Sequence, residues 1–328
     1  MLTVIYSSQD FGRFIWCCTK IFVSLPPITY CSTLISHAMS KYINPFTDVG
    51  FKKIFGQEIN KDLLIDFLNS LLKGERVINN VTFLDKEQVG EFKDDRSLIY
   101  DVYCETDSGE KIIVEMQNKS QPYFKNRSIY YAAQSVARQG ERGSEWGFDV
   151  KAVYCISFLN FRQAGISEKF RTDIALMDMQ SRLLFSDKIR LIYLQLPLFT
   201  KEVRECENQF ERWIYVLKNM EKLNRYPFEI KDKVFKKLIE TCDVASWTRE
   251  ERIKYDRALK RYRDTLAVME GQKQEGRAEG RAEGIKEGEK KGREEERLAI
   301  ARSLKNDGIP VNVIARNTGL SVEEISNL

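Results

Sequence analysis

Leu98-Ile99-Tyr100-Asp101-Val102-Tyr103-Cys104-Glu105 and Lys111-Ile112-Ile113-Val114-Glu115-Met116-Gln117-Asn118 are the two stretches that decide how this chain reads. Both are rich in β-branched and aromatic residues. Asp107-Ser108-Gly109 between them is a turn signal, so the pair predicts a β-hairpin. Side chains alternate faces along a strand. Asp101, Tyr103 and Glu105 therefore share one face of the first strand, and Ile113, Glu115 and Gln117 share one face of the second. If the turn is a three-residue loop, Thr106 pairs with Glu110 and Asp101 falls opposite Glu115, with Cβ atoms about 5 Å apart. Two like charges at that distance in a half-buried sheet call for a cation or a proton between them. A slip of one residue would send them to opposite faces, so the inference hangs on the turn. The plainer alternative is a solvent-facing pair on an amphipathic hairpin. Against it, Ile112-Ile113-Val114 immediately precedes Glu115, and such a run reads as a strand buried on both faces.

Carboxylates are the right groups for a hard cation. Mg²⁺ takes one or two of them and keeps several waters, and such a site can hydrolyse a phosphodiester bond. Gln117 could orient water or phosphate through its amide, and Lys119 would supply positive charge from the same face if the strand runs that far. Composition leaves few other routes. The chain has one histidine in 328 residues, His37, so Ser-His-Asp, Cys-His and HEXXH zinc chemistry lack their imidazoles. Seven cysteines are scattered without a CxxC pair, which reads as reduced thiols in a cytoplasmic protein. A net charge of +4 permits contact with a polyanion but is too small to bind one by charge alone.

Outward from the hairpin, Asn44-Pro45-Phe46-Thr47-Asp48 leads into a helix capped by Thr47 or Asp48, with Phe51, Ile54 and Phe55 on one face. Leu63, Leu64, Phe67, Leu68, Leu71 and Leu72 continue at helical spacing to Gly74. A strand follows around Val77–Leu84, then the hairpin, a helix from Tyr123 to Gln139 and a buried strand from Ala152 to Phe158. Helix, three strands, helix, strand is an α/β order with a mixed sheet. The chain is helical and increasingly charged over Lys201–Lys222 and Glu229–Arg263.

Residues 1–38 contain short apolar runs broken by Lys20 and Pro26-Pro27, neither a spanning helix nor a clean signal peptide. The amphipathic pattern begins at Met39, and the expectation is that residues 1–38 are an upstream extension. The remaining divisions are a domain over 39–226, a helical extension over 227–270, a Gly/Glu/Lys/Arg-rich helical arm or tether over 271–296 and a small helical tail over 297–328.

Taken together, Asn44 to Gly56, Asp101 and Glu115-Met116-Gln117 resemble the PD-(D/E)XK nuclease superfamily. More narrowly they resemble the Rpn family, the recombination-promoting nucleases or transposases of bacteria. The resemblance covers about Tyr42 to Tyr226. It implies a restriction-endonuclease-like αβββαβ core with a helical C-terminal extension, and a Mg²⁺- or Mn²⁺-dependent DNA endonuclease acting in recombination or transposition. Asp101 and Glu115 would hold the metal, and Gln117 stands where the usual lysine is expected, which puts full activity in question because an amide carries no charge. Asp48 would join the site from the first helix, or would simply be its N-cap.

Arg127, Arg138 and Arg142 could face DNA beside the site, or be a solvated helix face. Gly276, Gly280, Gly284, Gly288 and Gly292 recur every four residues. Such a ladder is either a flexible tether or a stripe along which two copies of the arm approach, giving a homo-oligomer. The tail from Leu298 to Leu328 reads as three short helices, with Ser321 and Glu324 forming a capping box. Glu323 and Glu324 suit a protein-interaction bundle better than a DNA-reading helix. Two rivals remain: a nuclease-like fold without catalysis that binds DNA or a partner, and a DDE-type transposase with an RNase H-like fold.

Overall fold

The computed structural model describes residues 40–88, 98–140, 147–228 and 233–328. The expectations for residues 1–38 and for Arg142 lie outside them. The described chain falls into two units, one ending at Ala258 and one running from Leu259 to Leu328.

In the first unit the elements run α1 (Asp48–Phe55), α2 (Lys61–Leu71), β1 (Val81–Phe83), β2 (Glu87–Gln88), β3 (Leu98–Ile99), β4 (Val102–Thr106), β5 (Lys111–Gln117), α3 (Phe124–Ala137), β6 (Val153–Leu159), β7 (Arg171–Met177), β8 (Leu184–Gln195), α4 (Gln209–Asn219), α5 (Lys233–Cys242) and the start of α6 (Arg249–Asn306). Six strands form one sheet in the order β1-β4-β5-β6-β8-β7, and β2 with β3 forms a separate antiparallel pair. Strands β1, β4 and β5 are antiparallel neighbours, β5, β6 and β8 are parallel, and β7 returns antiparallel along β8. This is the mixed α/β sheet expected of a PD-(D/E)XK core. It carries two strands more than the sequence reading gave it, β7 and β8.

The hairpin forms in the register that places Asp101 opposite Glu115. Val102 faces Val114, Tyr103 faces Ile113 and Glu105 faces Lys111. At the turn, Thr106 N–H donates to the Glu110 carbonyl at 2.9 Å and Gly109 N–H donates to the Thr106 carbonyl at 2.9 Å. Gly109 adopts φ +84°, a conformation only glycine takes without strain. The turn is thus the three-residue loop anticipated from Asp107-Ser108-Gly109.

Both faces of the sheet are covered, which explains the unbroken apolar runs. On one side α3 packs Phe124 and Ala132 onto Tyr103, Ile113, Cys155 and Tyr193. On the other, Phe158 meets Phe51, Phe55 and Phe67 with ring centroids 5.3–6.1 Å apart, and Trp213 of α4 lies 6.0 Å from both Phe55 and Phe67. The stretch before α1 is itself a packed device. Asn44 accepts from Phe46 N–H at 2.8 Å through Oδ1, and its backbone N–H donates to the Tyr255 hydroxyl at 2.7 Å. Thr47, not Asp48, is the N-cap: its Oγ1 accepts from Gly50 N–H at 3.0 Å. A Cβ at Gly50 would collide with the Asn44 carbonyl, which accounts for that glycine.

In the second unit α6 continues as helix through the glycine ladder to Asn306, followed by α7 (Val311–Thr318) and α8 (Val322–Ser326). Ala301, Ile314, Leu320 and Ile325 form its own small core. Gly308 and Gly319, at φ +78° and +68°, follow the ends of α6 and α7. Ser321 and Glu324 form the anticipated capping box. The last stretch of the long helix takes the place of the first of three expected short helices. Nothing among the described residues stands within 4 Å of where a Cβ would be at the five ladder glycines, so no close approach within the chain demands them.

Phe158 sits at the centre of the aromatic cluster, so Phe158→Ala is expected to cost about 3–5 kcal/mol in urea unfolding. A loss below about 1 kcal/mol would mean that this cluster is not the core that holds the sheet to its helices.

Candidate active site

The sheet brings Asp101 and Glu115 together at the end of the hairpin remote from its turn. Asp101 N–H donates to Glu115 Oε1 at 3.2 Å, and Asp101 Oδ2 accepts from Met116 N–H at 2.9 Å. Each carboxylate therefore bonds to the other strand's backbone just where the regular ladder stops. Glu115 is 4% exposed. Ser157, small and fully buried, pairs with it across the parallel β5–β6 ladder.

Burial is the first cause of an upward shift in both acids. Glu115 is pushed up to about 8 by burial and then by the charge of Asp101, while the Asp101 N–H, Arg127 and the Gln117 amide pull the other way. Asp101 is raised by burial and by Asp48, against the Met116 N–H, Lys52 and Arg127. At neutral pH the metal-free pair therefore shares a proton, as close carboxylates do.

The charges of Lys52, Lys86 and Arg127 act on the pair. Lys86 is half-buried and reaches the Gly56 carbonyl at 3.4 Å. Burial and the charge of Lys52 lower its pKa, and Asp101 and Asp48 oppose that. It is held there because Tyr100 N–H, next to Asp101, donates to the Lys86 carbonyl at 3.0 Å. Asp48 pairs with Lys52 one turn along α1 at 2.7 Å. The end of β5 is tied to that helix start by Asn118, whose Nδ2 donates to the Phe46 carbonyl at 2.8 Å. On the α3 side, the Arg127 guanidinium lies over the rings of Phe124 and Tyr131, 5.1 and 5.8 Å from their centroids, and donates to Gln121 Oε1 at 2.9 Å.

The sequence candidates separate accordingly. Asp101, Glu115, Gln117 and Arg127 converge, with Gln117 Nε2 3.4 Å from Glu115 Oε2. Asp48 stands at the margin, paired and half-exposed, where its charge reaches Asp101 and Lys86. Strand β5 stops at Gln117, so Lys119 is an exposed residue beyond it and not a further position on the site face. Arg138, at the other end of α3, lines a surface cleft beside the turn with Glu105, Lys111 and Lys151. That is four residues along each strand from the carboxylates, about 13 Å. Lys52 and Lys86 were not anticipated. Lys52 had a visible cue, four residues after Asp48 on one helix face; Lys86 had none.

A hard divalent cation fits this donor set. The oxygens are carboxylate and adjacent, Glu115 is buried and Asp101 partly so, and a cation would relieve their mutual repulsion. Among the described residues no group of three or more His, Cys, Asp or Glu side chains converges, so two protein carboxylates with water would have to suffice, as Mg²⁺ permits.

An antiparallel hairpin bearing Asp and Glu-x-Gln, flanked by helices on a mixed sheet, defines the class. The model of the PD-(D/E)XK nuclease family transposases matches residues 45–272, and the chain belongs to that family. Neither a curated protein nor a solved structure matches it. Membership sets aside the DDE-type, RNase H-like alternative. No helix among the described residues is long and apolar enough to cross a membrane.

Glu115 gives the metal-free protein a pH signature. Between about 4.5, its unperturbed value, and about 8, the folded state holds a proton that the unfolded chain has lost. Stability tied to the neutral form is present below that window and falls as pH rises through it. Calorimetry in EDTA is expected to give a lower Tm at pH 8 than at pH 5.5, with Glu115→Gln flattening most of the slope. A slope of the same size in the variant would clear Glu115 as its source.

Proposed function

We propose that the protein is a DNA endonuclease of the cytoplasm that depends on Mg²⁺ or Mn²⁺ and acts in transposition or recombination. The observation that carries this reading is the Asp101–Glu115 pair, its two carboxylates cross-bonded to opposing backbones within reach of the charges of Lys52, Lys86 and Arg127. Asp101 and Glu115 would hold the cation. When bound, it supplies Lewis acidity toward the phosphate and the attacking water.

The chain's own groups have the remaining tasks. Glu115 gives up its proton on binding, and the strand backbone keeps both carboxylates in place. Gln117 orients the attacking water through its amide but brings no charge. Lys86, whose charge acts on Asp101, would supply that charge against the developing negative charge on the phosphate. Arg127, held by Gln121 and two aromatic rings, takes a neighbouring phosphate. Arg138 with Lys151 meets the backbone farther along the duplex, and such contacts position DNA without reading it.

The glutamine favours a second reading, a fold that binds DNA without cutting it. Plasmid nicking separates the two. Purified protein is expected to nick supercoiled DNA with Mg²⁺ or Mn²⁺ and not in EDTA. Asp101→Ala and Glu115→Ala should fall to background while remaining folded, and Lys86→Met should lose about 10²-fold in rate with DNA binding nearly intact. DNA binding without metal-dependent nicking would move the assignment to the second reading. Full activity in Lys86→Met would return the charge to another group.

A further inference from the structure

Beyond the sheet's packed part, β7 and β8 continue as a two-stranded ribbon whose apolar residues pack on nothing among the described residues. Inner β8 is buried from Leu191 to Gln195, but the outer half is not. Leu176, Met177, Met179, Leu183, Leu184 and Phe185 are all 45% exposed or more, with Phe185 at 79% and Met179 at 70%. Leu176 and Met177 are consecutive and both exposed, so both faces of the ribbon are open there. A register shift between Ile174 and Met177 accompanies this.

The ribbon is nonetheless a built structure. Asp178 N–H donates to the Leu183 carbonyl at 2.9 Å and Arg182 N–H donates to the Asp178 carbonyl at 3.0 Å. The Asp178 carboxylate accepts from Gln180 N–H at 3.1 Å and from the Ser181 hydroxyl at 2.7 Å. Arg182 takes φ +61° to complete the tip. At the base, Arg171 grips Asp173 through two nitrogens at 2.7 and 2.9 Å, and Arg190 reaches Glu75 at 2.8 Å. An ordered turn that presents large apolar side chains to water is an interface awaiting a partner.

We propose that this ribbon is a self-association surface, pairing with the same ribbon of a second copy of the chain. The inference is independent of the nuclease reading. Three observations select the occupant. The six exposed side chains form an apolar patch, and a two-fold contact that buries the part of it on one face would draw the rest of the ~800 Å² each partner gives to a standard interface from the flanking polar residues. The ribbon is nearly neutral, with Arg171, Arg182, Lys188 and Arg190 against Asp173, Asp178 and Asp187, and three of these charges are already tied to one another at its base. A polyanion would need an excess of basic residues, whereas a balanced set suits a two-fold contact of like with like. Finally, β7 is the last strand of the sheet among the described residues, so its outer edge is open there to a second strand.

The test is light scattering coupled to size exclusion on the full chain, across a dilution series, beside Leu183→Ser/Phe185→Ser. The wild type is expected at twice 38.3 kDa and the double variant at 38.3 kDa, with thermal melts that show both folded. A photo-crosslinking side chain at Leu184 should give a covalent dimer joined within residues 176–185 of the second copy. A wild type that is monomeric throughout overturns the proposal. So does a dimer that survives the double substitution, or a crosslink that forms to the C-terminal arm or to DNA.

Discussion

Asp101 and Glu115 stand side by side with Glu115 buried and Asp101 partly so, where charge on both carboxylates would cost burial and repulsion together, and the surrounding structure holds them there. The turn at residues 107–109 sets the register that brings them together, through the left-handed Gly109 and the Thr106–Glu110 pair. Burial of Ile112, Ile113 and Val114 on both faces then prevents the strand from slipping to separate them. The repulsion is moderated by the Asp101 and Met116 N–H groups and by Lys52 and Arg127. Burial first, and the charge of Asp101 second, still hold Glu115 up at about 8. On the reading proposed above, a divalent cation would relieve this cost.

The sheet and helices serve that placement. Aromatic packing of Phe158 against Phe51, Phe55 and Phe67 seats α1 so that Asp48 and Lys52 reach the open end of β5. Helix α3 covers the other face and delivers Arg127. Helices on the two faces thus bring charges to the end of the hairpin strands remote from their turn.

Much of this was legible in the sequence. The hairpin register followed from a three-residue turn and alternation, both local properties. The capping of α1 and of α8 followed from single Thr and Ser residues ahead of helical spacing, although Thr47 displaced Asp48 as cap and freed that carboxylate to pair with Lys52. What stayed hidden depends on distant parts of the chain. Lys86 comes to the site because its segment pairs with Tyr100, a contact no local pattern announces. Strands β7 and β8 were missed because their outer halves are exposed on both faces, so the alternation that marks a half-buried strand is absent there. The glycine ladder suggested a helical arm or a flexible tether, and its residues lie in a continuous solvent-exposed helix.

The central claim is that the Asp101–Glu115 pair is a divalent-cation site holding a proton in the metal-free state. Titration calorimetry with Mn²⁺ at pH 7, repeated in buffers of different ionisation enthalpy, reads both parts at once. The account predicts one binding event that releases about one proton per ion, with both binding and proton release lost in Glu115→Gln. Binding without proton release, or binding unaltered in that variant, would contradict it.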